Sequence, residues 1–130
     1  MTDQNASAEM EWPEIQALKA RMRDFAHRRD WDQFHAPKNL VMALAGEAGE
    51  LIEHFQWLSE AQSRELDART LEQVASEIAD IQIYLVRLAD KLDVSIADAV
   101  ERKVVENERK YPVDRVYGSA RKYTEYGSGD

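Results

Sequence analysis

The chain has 130 residues, no cysteine, 44% apolar and 32% charged residues, and a formal net charge of −8 from 17 basic and 25 acidic side chains. One domain of this size buries a core without disulfides or a structural metal, and the missing thiols exclude disulfide, thiolate and Cys-ligated zinc chemistry. The acidic balance argues against a protein held on nucleic acid by phosphate neutralisation, although clustered acids can bind a small polyphosphate through divalent cations.

The opening stretch MTDQNASAEMEW lacks a basic n-region and an apolar h-region, and no apolar run approaches the roughly 18 residues that span a membrane. A soluble, cytoplasmic protein with no membrane partner is therefore expected. Five Gly and three Pro favour helices over strands. Residues 1 to 10 read as a polar, disordered tail. A first helix should begin near Trp12-Pro13, because Pro suits the first helical turn, and Ile15, Leu18, Met22 and Phe25 then recur at helical spacing. The basic HRRD stretch ends it. Arg29 to Asn39 is a connection rich in aromatics, with Pro37 preventing a continuous helix. A second helix is expected from about Asn39 to Leu58, then a polar segment from Ser59 to Arg69, then a third helix from about Thr70 to Leu92 with Thr70 as its N-cap. Ser95 is the expected N-cap of a fourth, Ile96 to about Lys110, with Asp98 at its positively polarised start and Tyr111-Pro112 closing it. No segment alternates with the period of a strand. The expectation is an all-α bundle of about four main helices: a tail over 1–10, a helical domain over 11–112 and a C-terminal tail over 113–130.

The stretch LAGEAGELIEHFQWL carries the chemistry. At about 100° per residue, Leu40, Leu44, Ala48, Leu51, Phe55 and Leu58 form one apolar stripe. Glu47 falls inside its edge and Glu50 one step further out, with Asn39, His54 and Trp57 on the same border. The third helix repeats the arrangement: Val74, Ile78, Ile81, Leu85, Leu88 and Leu92 make the stripe, Glu77 sits at its edge, Asp80 one step out, and Tyr84 follows. Packed antiparallel, the two helices would gather four carboxylates in one cleft. Ionised acids so placed repel, and a hard divalent cation with oxygen ligands resolves the conflict. A single acid pair is ordinarily a solvated face, and the pattern alone leaves both readings open. A di-iron bundle would need Glu-x-x-His pairs; His54 lies four residues after Glu50 and the third helix has no His, which favours Mg²⁺. Gly46 and Gly49 weaken the second helix, as glycines kept for close approach of a partner do.

The fourth helix carries Lys103, Asn107 and Lys110 on one face with Ile96 and Val100. Lys110 reads as a surface residue. Lys103 and Asn107 fit equally a solvated face or a polar cleft, where lysine suits phosphate and asparagine a base or sugar. Trp31, Phe34, His35, Trp57 and Tyr84 are candidate walls for a planar ligand, against the ordinary role of aromatics as core anchors; Trp31 and Trp57 suit stacking best. His27 and His35 are equally readable as structural hydrogen-bonding residues.

The run RDWDQFHAPKNLVMALAGEAGELIEHFQWL, then SEIADIQIYLVRLADKL, then KVVENERKYP, resembles the MazG-like all-α nucleoside triphosphate pyrophosphohydrolases, nearest their dCTP pyrophosphatase branch, over about residues 12 to 124 including GSARKYT. Glu-x-x-Glu followed by Glu-x-x-Asp is that family's Mg²⁺ motif, matched here by Glu47, Glu50, Glu77 and Asp80. The resemblance implies Mg²⁺-dependent hydrolysis of a deoxynucleoside triphosphate, dCTP or modified dCTP, at the α–β bond to monophosphate and pyrophosphate. It implies that water is activated by the metal or by one of the glutamates, Glu50 or Glu47, and that Trp31, Trp57 and Tyr84 line the nucleoside pocket. Lys103 and Asn107 would contact nucleotide groups. Arg121, Lys122 and Tyr123 would reach phosphate, across the subunits of a homodimer or homotetramer. Related dCTP enzymes carry His where this chain has Met22, which leaves base preference open, and the loop after Trp57 is shorter than in the animal enzymes, which would alter how the pocket closes. The alternatives are a broader pyrophosphohydrolase of non-standard (d)NTPs, or a non-catalytic helical nucleotide-binding module.

Overall fold

The computed structural model describes residues 10–125. Among them every regular element is helical: α1 (Pro13–Arg28), α2 (Pro37–Glu53), α3 (Glu60–Ser63), α4 (Ala68–Lys91), α5 (Ile96–Lys110) and α6 (Val113–Val116), with 3-10 turns at Asp32–Phe34 and Tyr123–Glu125. The four main helices expected from the sequence are α1, α2, α4 and α5. The expected disordered tail falls, but for Met10, outside the described residues.

Helix ends follow local chemistry. Pro13 and Pro37 each occupy the first turn of a helix, where the missing N–H is no loss. Pro37 thus starts α2 two residues earlier than expected. α2 also ends earlier, at Glu53: Phe55 donates its N–H to Ile52 (2.9 Å) and Leu58 donates to Phe55 (2.9 Å), so 54–58 form turns. This moves Phe55, Trp57 and Leu58 off the helical stripe. Ser59 then opens α3 with a capping box, its Oγ accepting from Gln62 N (3.1 Å) while the Gln62 side chain accepts from Ser59 N (2.9 Å). The N-cap of α4 is Asp67 rather than Thr70. Its Oδ1 accepts from Thr70 N at 2.7 Å, which places Thr70 inside the first turn.

α1 and α4 end alike. Asp30 (φ 54°) and Asp93 (φ 55°) take the left-handed conformation, and the next residue donates back into the helix, Trp31 to Ala26 (2.9 Å) and Val94 to Ala89 (2.8 Å). Short polar side chains tolerate this backbone, where glycine is more usual.

α5 begins at Ser95 as expected, with Oγ accepting from Asp98 N (3.1 Å) and its hydroxyl donating to Met10 O (2.7 Å). Glu11, its side chain only 2% exposed, accepts from Ile96 N (2.8 Å), Ala97 N (2.9 Å) and Lys19 Nζ (2.9 Å). Burial opposes its ionisation, but Lys19 and the backbone amides of Ile96, Ala97 and Trp12 outweigh it and hold the carboxyl down at about 2. Two residues ahead of α1 thus latch the start of α5.

α4 is the central helix, packed against both α2 and α1. Ala26, Leu40, Val74, Val86 and Ala89 form the buried core. Burying a side chain such as Leu40 or Val86 contributes about 1.5–3 kcal/mol. The expected α4 stripe is divided between two environments. Val74 is buried, and Ile81 and Leu88 partly so, whereas Ile78, Leu85 and Leu92 are exposed and, with Leu71 outside the expected stripe, form a row spaced by seven. No α5 residue is fully buried.

Candidate metal centre and nucleotide pocket

The packing of α2 on α4 brings one carboxylate oxygen each from Glu47, Glu77 and Asp80 within 4.8 Å of one another. Register explains it. Glu47 lies one turn beyond Leu44, and Glu77 one turn beyond the buried Val74, so each acid borders a packed stripe; Asp80 follows one turn later. Oε2 of Glu47 and Oε2 of Glu77 are buried without a hydrogen-bond partner. Contact with Glu77, then burial, Glu50 and Asp80, pushes the Glu47 carboxyl up to about 7. His54 Nε2 is 3.9 Å from Glu77 Oε1. Hard oxygen donors, mutual repulsion and two orphaned buried oxygens fit a divalent cation. Glu50 is exposed and flanks this trio as an electrostatic neighbour of Glu47.

Beside the acids lies a cavity of about 260 Å³, and Asp80 belongs to both. Met22 and Phe25 of α1, Trp31 and His35 of the following connection, and Tyr84 and Arg87 of α4 line it. Trp31 packs edge-on against Phe25, with centroids 5.8 Å apart and planes at 68°, while the Arg29 guanidinium lies 3.6 Å over the other ring's centre. The two aromatic walls therefore brace each other, with Arg29 stacked on Phe25. Tyr84 is one turn beyond Asp80 on the same helix face, so one element presents both acid and aromatic to the cavity.

The MazG-like family model matches residues 43–126, which include Glu47, Glu50, Glu77 and Asp80. The chain belongs to the MazG-like family. This MazG-like chain is 42% identical to dCTP pyrophosphatase 1 of Rattus norvegicus and 40% identical to dCTP pyrophosphatase 1 of Homo sapiens, each over 119 residues, 90% of this chain and 70% of the relative. Its fold matches the crystal structure of a pyrophosphatase from Archaeoglobus fulgidus with a TM-score of 0.72 at 38% identity, covering 80% of this chain and 97% of the other.

Of the expected pocket residues, the MazG-like fold brings Trp31, His35 and Tyr84 together with Asp80. Others lie elsewhere in the same chain. Trp57 is 87% exposed in the turn after α2 and does not line this cavity. Lys103 lines a separate apolar cleft between α4 and α5 and pairs with Glu106 at 3.5 Å, and Asn107 is exposed. Lys110 pairs with Glu106 at 2.7 Å. Arg121 and Lys122 are exposed, Arg121 donating to Ser119 Oγ at 3.4 Å, and the Tyr123 side chain lies outside the described residues. Sequence reasoning missed Arg87 and Asp32 altogether. The signal for Arg87 was an arginine between Val86 and Leu88 inside an apolar run, a place a solvated arginine avoids.

Proposed function

We propose that the protein hydrolyses a deoxynucleoside triphosphate, dCTP or a modified dCTP, at the α–β bond, releasing the monophosphate and pyrophosphate and so cleaning the cytoplasmic nucleotide pool. The observation that carries this reading is the junction at Asp80, where an acidic cluster with two unpartnered buried oxygens opens onto an aromatic cavity. By family and relatives the protein is a nucleoside triphosphate pyrophosphohydrolase. Glu47, Glu77 and Asp80, with Glu50 beside them, would hold Mg²⁺. Bound there, Mg²⁺ supplies neutralisation of the triphosphate and polarisation of its α-phosphoryl group. Trp31 and Tyr84 grip the base, and the edge contact of Phe25 with Trp31 keeps that grip oriented. Glu50, solvent-facing at the edge of the trio, is the base we assign to take the proton of the attacking water at its carboxylate.

The exposed row Leu71, Ile78, Leu85 and Leu92 supports a homodimer or homotetramer, because apolar residues repeating every seven positions make a helix–helix seam. Trp57, Lys103, Asn107, Arg121, Lys122 and Tyr123, which do not line the cavity of their own chain, would then complete the pocket of a neighbour. Met22 favours a second reading. A thioether in the cavity wall makes only weak hydrogen bonds, which suits a broader range of non-standard (d)NTPs. The test is a panel of natural and modified dNTPs with Mg²⁺, assayed for pyrophosphate and monophosphate. Release of orthophosphate contradicts α–β cleavage. A folded protein that turns over no nucleotide sinks the enzymatic reading in favour of a binding module.

A further inference from the structure

Arg87 is a buried cation, 4% exposed, on the face of α4 that also carries Tyr84 and Asp80. Its guanidinium is shared among three partners. Nη2 donates to Asp32 Oδ1 at 2.6 Å, Nη1 to Asp90 Oδ2 at 3.4 Å, and Nε to His35 Nδ1 at 3.2 Å. Lys91 also donates to Asp32, and Arg23 grips Asp90 through two hydrogen bonds of 2.7 and 3.1 Å. The Arg87 guanidinium, the Lys91 ammonium and the Asp32 carboxylate are therefore the charges that act on His35.

We infer that Arg87 is a positioning residue that fixes the tautomer of His35, so that the ring presents Nε2–H as a hydrogen-bond donor to a ring or carbonyl acceptor of the nucleobase. The inference rests on the nucleotide reading of the cavity. A guanidinium has only donors and does not lose its proton in proteins, so the nitrogen facing it must accept. That nitrogen is Nδ1, which leaves the imidazole proton on Nε2. Protonating the ring would place a third cation beside Arg87 and Lys91. Burial first, then Arg87 and Lys91, lower the affinity of His35 for a proton, against the opposing pull of Asp32. Nε2 makes no hydrogen bond among the described residues, and His35 lines the cavity together with Trp31 and Tyr84. If the buried Arg87 were needed only to tether the connection, its bond to Asp32 would suffice, since Asp90 lies on α4 itself. Its third bond selects one face of the imidazole. With Met22 offering no strong donor, His35 Nε2–H joins the Tyr84 hydroxyl and the Trp31 indole N–H as donors that line the cavity, and cytosine offers O2 and N3 as acceptors.

Long-range ¹H–¹⁵N spectra of the wild-type imidazoles, with His35→Gln to assign the resonance, test the first half directly. A neutral ring at pH 7 with Nδ1 bare and Nε2 protonated is expected; a proton on Nδ1, or a doubly protonated ring, overturns the inference. Arg87→Met should give a mixture of tautomers and raise KM for dCTP about tenfold or more, with kcat much less affected. Unchanged tautomer and KM in a folded Arg87→Met also overturn it. Should Arg87→Met fail to fold, the His35 pair decides. His35→Leu should lose about tenfold or more in kcat/KM for dCTP, and His35→Gln, whose amide N–H can stand where Nε2–H stands, should recover most of it. Equal activity of the Leu and Gln variants overturns base reading. The expected tautomer in a protein that neither binds nor hydrolyses any nucleotide refutes the proposed function, and base reading with it. The wrong tautomer in an active dCTP hydrolase refutes this inference alone.

Discussion

Glu47 and Glu77 meet across the seam of α2 and α4, each with one carboxylate oxygen, Oε2, buried and without a hydrogen-bond partner. Such a pair opposes folding while both are ionised and becomes favourable once a cation stands between them.

The Glu47→Gln variant separates those two effects. Without metal it should be at least as stable as the wild type at pH 7.5, because the amide removes a charge that Glu77, burial, Glu50 and Asp80 all disfavour. Mg²⁺ should raise the melting temperature of the wild type and leave that of the variant nearly unchanged. Activity should fall about a hundredfold or more in the variant, and in the wild type after chelation with EDTA, the latter recovering on addition of Mg²⁺. Full Mg²⁺-dependent activity in Glu47→Gln would falsify the metal assignment.

Acid should loosen the latch on α5. The Glu11 carboxyl has its pKa lowered from 4.5 to about 2 in the fold. The stabilisation is therefore present above about pH 5 and is lost as the pH falls through the interval down to about 2. The full shift corresponds to about 3 kcal/mol at neutral pH as an upper bound. Glu11→Gln should lose about 2–3 kcal/mol in urea unfolding at pH 7 and show a flatter stability profile between pH 5 and 2. A profile parallel to that of the wild type would assign the acid sensitivity elsewhere.

The seven-residue row on α4 predicts association. The wild type should show the mass of a dimer or tetramer in light scattering, and Ile78→Glu or Leu85→Glu should shift it toward the monomer. If Trp57 and the basic tail serve a neighbouring pocket, KM rises in the monomeric variants. A wild type that is monomeric at micromolar concentration removes both expectations.

A Cβ added at Gly46 or Gly49 would meet nothing within 4 Å, so packing within one chain does not require either glycine. Gly46→Ala and Gly49→Ala should each stabilise the metal-free protein by about 0.5–1 kcal/mol through helix propensity. Lower activity or weaker association in the more stable variant would mark close approach of ligand or partner. Unchanged activity and mass would leave the glycines without a functional role.

Much of the fold was legible because helices are local. Spacing placed four main helices, Pro13 their first start and Ser95 a cap, and the border position of Glu47 and Glu77 followed from periodicity. The errors were also local in origin. Asp67 capped α4 in place of Thr70, because its carboxylate accepts the Thr70 N–H and so starts the helix three residues earlier, and turns stopped α2 at Glu53 although the apolar period ran on to Leu58.

What the sequence by itself determined is which residues share a helix face: the repeated acid pairs on α2 and α4, and the apolar row along each. What only the tertiary structure decided is what each face meets. Periodicity shows that a stripe is apolar, but the crossing of two helices selects its neighbour. That crossing sets Glu47 against Glu77, buries Val86 and leaves Ile78 exposed. It also draws Asp32 and His35 onto Arg87, more than fifty positions along the chain, where no spacing rule reaches.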